Sequence, residues 1–164
     1  VEAVQAANWQ TGILVDSATP DWISMRITPG RLNAERLVRF IDELNRDVPE
    51  SDRNRLLTAF REMLLNAMEH GAGFDPEKVV DVTAMRTERT VVYYLRDPGA
   101  GFALDRIPHA AVSNPPGDPT VHLERREVLG LRPGGFGILI TRGLVDEVRY
   151  SEHGNEVLLI KHLR

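Results

Sequence analysis

The sequence predicts an α+β fold, a two-layer sandwich in which a mixed, mostly antiparallel sheet carries helices on one face. Three observations support this. Apolar runs at 78–85 and 90–96, and again at 145–151 and 156–162, flank short polar turns and read as two hairpins. Apolar residues recur at helical spacing in three other segments, about 33–46, 51–71 and 138–145. At 164 residues the chain is one domain, large enough for a proper core without covalent staples.

The elements follow in order. Residues 1–19 have no clean strand or helix period and end in the turn-like Ser17-Ala18-Thr19-Pro20, so they are expected to be an N-terminal linker or extension. Residues 20–164 then form the domain. Trp22 to Thr28 alternates as a half-buried strand does, and Pro29-Gly30 turns the chain. Asn33 is placed to cap a helix reaching about Arg46, with Leu37, Phe40, Ile41 and Leu44 on one face. Ser51 or Asp52 would cap a longer helix that ends at Gly71. A loop through Pro76 leads into the first hairpin, which turns over Arg86–Arg89. Residues 103–134 hold Pro108, Pro115, Pro116, Pro119 and Pro133, too many for one regular element. Short helical turns fit only at 103–107 and 123–128, and a loop this long inside a domain is often functional. A last helix from Ile138 to Val145 precedes the closing hairpin.

The most informative stretch is Arg61–Gly71. At about 100° per residue, Glu62, Asn66 and His70 fall along one narrow stripe. Leu56, Phe60, Met63, Leu64 and Ala67 fall on the other side and read as core. Asn is a poor mid-helix residue because its amide competes for backbone hydrogen bonds. An Asn one turn after a carboxylate suggests that both side chains are used, although a solvated polar face has the same spacing. Two glycine clusters lie downstream. Asp97-Pro98-Gly99-Ala100-Gly101 follows a strand-like run and can hold a carboxylate where backbone approaches a ligand closely. Arg132-Pro133-Gly134-Gly135-Phe136-Gly137 opens a helix, where free N–H groups suit an anion. Either cluster alone suits a plain loop. The ordered triple is far more specific.

That triple resembles the N, G1 and G2 boxes of the GHKL (Bergerat-fold) ATPases, which include gyrase, ATP-dependent chaperones, histidine kinases and mismatch-repair proteins. The chain is most similar to the bacterial anti-sigma-factor serine kinases and related histidine-kinase-like domains. The likeness rests on Glu62-x-x-x-Asn66-Ala67-x-x-His70-Gly71, on Arg132 ahead of the second Gly box, on Leu144–Val148, and on Gly154-Asn155. It covers about residues 20–164.

The resemblance implies ATP and Mg²⁺ as ligands. Asn66 would supply its amide oxygen to Mg²⁺, and Glu62 would be the general base that activates the attacking hydroxyl. Asp97 would accept a hydrogen bond from the adenine amino group, with Gly99 and Gly101 leaving room beside the nucleotide. Gly135 and Gly137 would cradle the phosphates, Arg132 would reach the γ-phosphate, and residues 103–134 would form an ATP lid. His70 is read as a helix-end polar contact. The implied activity is that of a serine/threonine kinase acting on an anti-sigma-factor antagonist protein and binding a sigma factor. The alternative is a nucleotide-gated partner-binding domain with little phosphoryl transfer, served by an upstream sensor domain. A homodimer fits either reading. No phosphoacceptor His on a dimerising helix pair is present, which argues against a complete histidine kinase.

Other chemistries find little support. The chain has 42% hydrophobic and 27% charged residues, the balance of an ordinary globular protein. Its net charge of −4 gives no reason to expect a nucleic-acid partner. The absence of cysteine excludes disulfide and thiolate chemistry and permits a reducing compartment. No apolar stretch approaches membrane-spanning length and no signal peptide is visible, so a cytoplasmic protein without a membrane partner is expected. There is no P-loop, no His-Glu-x-x-His pair and no nucleophile elbow. His109, His122, His153 and His162 lack ligand spacing; His162 is expected to be half-buried in its strand.

Overall fold

The computed structural model describes residues 12–102, 116, 127–128 and 137–163. Six strands form one sheet: β1 (Ile13–Thr19), β2 (Trp22–Ile27), β3 (Val80–Arg86), β4 (Thr90–Arg96), β5 (Glu147–Tyr150) and β6 (Glu156–His162). Their order is β1-β2-β3-β4-β6-β5, and all five pairings are antiparallel. Among the described residues three helices, α1 (Arg31–Leu44), α2 (Glu50–Asn66) and α3 (Gly137–Leu144), join the sheet in the α+β fold.

Alternation decides which side of the sheet meets the helices. Ile23, Met25 and Ile27 of β2 point to one face, as do Val80 and Val82 of β3 and Val91, Tyr93 and Leu95 of β4. These join Leu37 and Ile41 of α1 and Leu56, Phe60, Met63 and Leu64 of α2 in one buried cluster. The α2 residues expected in the core are all buried, and Ala67 just beyond them is too. The Phe60 and Tyr93 rings meet with centroids 4.9 Å apart. Tyr93 carries its hydroxyl into this core, where burial raises its pKa. Asn45 satisfies it, donating from Nδ2 to the Tyr93 oxygen at 2.6 Å and to the Ile41 carbonyl at 2.7 Å.

Several local expectations are corrected. Residues 13–19 are not an extension but the edge strand β1, which pairs with β2. Its register shifts between Val15 and Ser17. Asn33 does not cap α1; the helix starts from Gly30, and no side-chain cap bond is made. Instead Asn33 Nδ2 donates to the Thr28 carbonyl at 2.9 Å. Its amide also packs against Gly12, where an added Cβ would lie only 2.3 Å from Nδ2. The α2 start is likewise at Pro49, not Ser51 or Asp52. On α1 the buried stripe is Ala34, Leu37 and Ile41, while Phe40 and Leu44 are exposed. His162 is exposed rather than half-buried. No helix among the described residues is long and apolar enough to cross a membrane.

Candidate functional site

The site is built where four chain segments end together. The first is α2. Its last turn widens into a π-helical turn at Ala67–Gly71, closed by the Ala72 N–H bonding to the Ala67 carbonyl at 2.9 Å. Such single wide turns recur at functional sites because they re-aim side chains without ending the helix. Glu62 and Asn66 lie one turn apart just before it, both half-buried.

The second segment is the start of α3. A Cβ placed on Gly137 would lie 3.0 Å from Glu62 Oε2, 3.5 Å from Asn66 Nδ2 and 3.9 Å from Asn66 Oδ1. The first turn of α3 therefore sits directly on the Glu–Asn stripe. Gly137 is the first described residue of α3, and the leading N–H groups of an α-helix as a rule lack intrahelical partners. A carboxylate, an amide and a helix N-terminus thus converge.

The third segment is the end of β4. Asp97 follows Arg96, and the Gly99 N–H donates to Asp97 Oδ1 at 2.8 Å. No donor among the described residues reaches Oδ2. Burial raises the Asp97 pKa, and the Gly99 N–H partly opposes that rise. Gly71 closes the other side: a Cβ there would lie 2.1 Å from Asp97 Cγ. A Cβ on Gly99 would lie 2.8 Å from both Asp97 Oδ1 and the Gly71 carbonyl oxygen. No Cβ fits at Gly71 or Gly99 beside this carboxylate, so Asp97 is seated against the wide turn that follows Asn66.

The fourth segment is the β5–β6 loop. The Asp97 N–H donates to the Asn155 carbonyl at 2.9 Å, and Asn155 Nδ2 donates to the Asp97 carbonyl at 3.3 Å. Gly101, at φ 76°, packs against this loop; a Cβ would fall 1.6 Å from the His153 carbonyl oxygen. Its small size therefore serves the clasp between two loops. A wall of side chains follows. The Phe102 and Tyr150 rings meet edge-on at 5.3 Å, and the Tyr150 hydroxyl donates to Met63 Sδ at 3.2 Å. Burial pushes that hydroxyl up to about 12.

The structure thus brings Glu62, Asn66 and Gly137 together, and places Asp97 with Gly99 and Gly101 around the other end of the wide turn. Arg132, Gly135 and most of the lid segment 103–134 lie outside the described residues. His70 is exposed on the π turn. Sequence reasoning missed the wide turn, the Gly71 seat and the Tyr150–Met63 contact. Gly71 beside a polar stripe was the available signal for the seat; the other two depend on pairings that no local pattern encodes.

Among the described residues, no group of three or more His, Cys, Asp and Glu side chains converges as a metal cage. The family model of the histidine kinase-like ATPase domain matches residues 28–161, a span that includes every segment of this site. No curated protein matches the chain.

Proposed function

The chain belongs to the histidine kinase-like ATPase domain family, and from that premise we propose that it is a serine/threonine kinase of the anti-sigma-factor type. It would bind a sigma factor and phosphorylate a partner-switching antagonist protein. ATP binding is the property of the family; the choice of acceptor is our reading.

The residues fit the nucleotide. Asp97 offers a half-buried carboxylate oxygen without a described donor, inside a cradle that a Cβ at Gly71 or Gly99 would fill. Such an acceptor suits the amino group of a purine. Asn66 would give Mg²⁺ one hard oxygen ligand, with phosphates and water completing the shell. The N-terminal end of α3 would receive phosphate charge. When bound, Mg²⁺–ATP supplies an activated phosphoryl group.

The observation that carries the kinase reading is the position of Glu62. Its Oε2 faces the Gly137 end of α3, one turn from Asn66. A carboxylate so near a phosphate-binding helix end costs nucleotide affinity through charge repulsion, a cost that a role in taking the proton from the attacking hydroxyl would justify. Simple nucleotide binding needs no such group.

The test is transfer of label from γ-labelled ATP to candidate antagonist proteins from the same genome. Transfer onto a Ser or Thr, lost in Glu62→Gln, supports the proposal. Nucleotide-dependent partner binding without transfer would replace it with the nucleotide-gated binding domain.

A further inference from the structure

Asp97 stands at one end of β4. The other end of that strand borders a second opening, at Val91, about 20 Å from Asp97 along the chain. It is a cleft between the sheet and the C-terminal end of α1, with about 390 Å³ of empty space, part of it open to solvent. Strand register builds its floor in two rows. Ile23, Ala84 and Tyr93 stand side by side as the inner row. Asp21, Arg86 and Val91 form the outer row, where the Arg86 N–H donates to the Asp21 carbonyl at 2.9 Å. Two residues along a strand separate the rows by about 7 Å. Leu44 and Asn45 close the cleft from the helix side, and Trp22 also lines it.

The two ends of the cleft carry different polar groups. At the inner end Asn45 and Tyr93 are both buried. The two Nδ2 hydrogens of Asn45 are spent on the Ile41 carbonyl and on the Tyr93 oxygen. That fixes the amide, because its oxygen cannot face a carbonyl. Among the described residues the Tyr93 O–H is then left without an acceptor, and Asn45 Oδ1 without a donor. A donor and an acceptor on neighbouring buried residues suit one group that both accepts and donates, a hydroxyl. At the outer end Arg86 is spent on Asp47, each Nη lying 2.6 Å from a carboxylate oxygen. The Asp21 carboxylate has no hydrogen bond or ion pair among the described residues. Two carboxylates thus meet one guanidinium, and the C-terminal end of α1 adds partial negative charge. Trp22, 45% exposed, brings an indole face that attracts organic cations. Between the two ends the walls are apolar, from Ile23, Leu44, Ala84, Met85 and Val91.

We propose that this cleft is a second binding site, for a small primary amine with an apolar body and a hydroxyl at its far end. The ammonium sits at the outer end, against the Asp21 carboxylate and the Trp22 ring. The apolar body fills the middle and displaces water from those walls. The hydroxyl accepts from Tyr93 and donates to Asn45 Oδ1. An aromatic ring with a two-carbon ammonium arm matches the spacing of the two rows. An anion is rejected, because the only unbalanced charge at the outer end is negative. The cleft shares no residue with the Glu62, Asn66 and Asp97 site, so it stands apart from the nucleotide reading.

Tyramine is the probe, because it combines the three features. Its titration into the full chain without nucleotide, followed by proton–nitrogen correlation NMR, should shift the Trp22 indole N–H and the backbone signals of Arg86 and Val91. The matching alcohol, para-hydroxyphenethyl alcohol, should bind about fivefold more weakly, the worth of one exposed charge contact with its cation–π support. Asp21→Asn, an exposed change that leaves the core alone, should remove most of that advantage of the amine. Phenethylamine lacks the hydroxyl and should bind the parent about fivefold more weakly than tyramine. Tyr93→Phe should narrow this second gap; two probes are compared within one variant, so a loss of stability does not imitate the result. A cleft that holds only water leaves tyramine unbound at millimolar concentration, and that result overturns the proposal. So does equal affinity of the parent for the amine and the alcohol, an amine advantage that Asp21→Asn leaves intact, or shifts confined to Asp97 and its neighbours.

Discussion

Asp97 is a carboxylate held partly out of water, and this has a cost that can be measured. Its folded-state pKa lies above its ordinary value because burial disfavours the charge. The folded chain therefore takes up the proton before the unfolded chain does as pH falls. The penalty is present at neutral pH and eases as pH drops through the raised value. Asp97→Asn removes the charge yet keeps an oxygen for the Gly99 N–H. The variant should melt at a higher temperature than the parent at neutral pH, and the gap should close toward acid; thermal scans at several pH values check this. Glycines near Asp97 fail differently. Gly71→Ala drives a methyl into the Asp97 carboxyl, so nucleotide affinity should fall while the sheet persists. Gly101→Ala should lower stability itself, by about 1–3 kcal/mol from backbone strain alone, because φ is 76° and the His153 carbonyl blocks the methyl. Chemical denaturation separates the two. In the sequence, Asn66 stands out as a poor mid-helix residue one turn after Glu62, and Asp97 as a strand-end carboxylate ahead of Gly-x-Gly, which makes them candidates. Which atoms surround them could not be read, since those contacts join residues far apart in sequence.

At the scale of elements, α2 is the beam that holds the site. Arg55 donates to the Gly143 carbonyl at 2.9 Å and to the Leu144 carbonyl at 3.4 Å, satisfying the last turn of α3. Lys161 of β6, almost buried, lies 3.2 Å from Asp146 and 3.6 Å from Asp52 near the start of α2. These contacts fix α3 against α2, and with it Gly137 against Glu62. Lys161→Ala leaves the two carboxylates without their shared cation and should cost about 1.5–3 kcal/mol, measured by denaturant unfolding. The helical stripe of α2 could be read because five of its positions repeat cleanly against the core. Strand β1 could not: the register shift between Val15 and Ser17 breaks the alternation on which a strand is recognised. The helix starts were misplaced because neither α1 nor α2 uses a side-chain cap, so polar residues near their starts pointed to the wrong positions. Phe40 and Leu44 were assigned to the core because their spacing suits a wide apolar stripe, whereas the sheet covers only the narrower one through Leu37 and Ile41.

Across the whole molecule, one layer of helices on an antiparallel sheet sets the site at one end of β4. The Phe60–Tyr93–Asn45 contacts lie farther along the same strand. Phe60→Ala should destabilise the fold by about 3–5 kcal/mol, since Phe60 is fully buried against Tyr93. Acid should loosen the closing hairpin. Asp146 accepts from the His162 N–H and from Lys161, and these hold its pKa below the ordinary carboxylate range. The stability it lends is present above the unfolded pKa and is lost as pH falls through the folded one. The pairing of hairpins and helices was legible from period alone, because each long element repeats its pattern several times. The convergence of four segment ends was legible only through the order of the motifs. The central claim is that this convergence holds a nucleotide through Asp97. Titration calorimetry of Mg²⁺–ATP against the parent and Asp97→Asn tests it most directly. Losing a hydrogen bond to a charged acceptor should cost about 1.5–3 kcal/mol, a fall of roughly tenfold or more in affinity. Equal affinity of the two proteins, or no binding by the parent, would contradict the account.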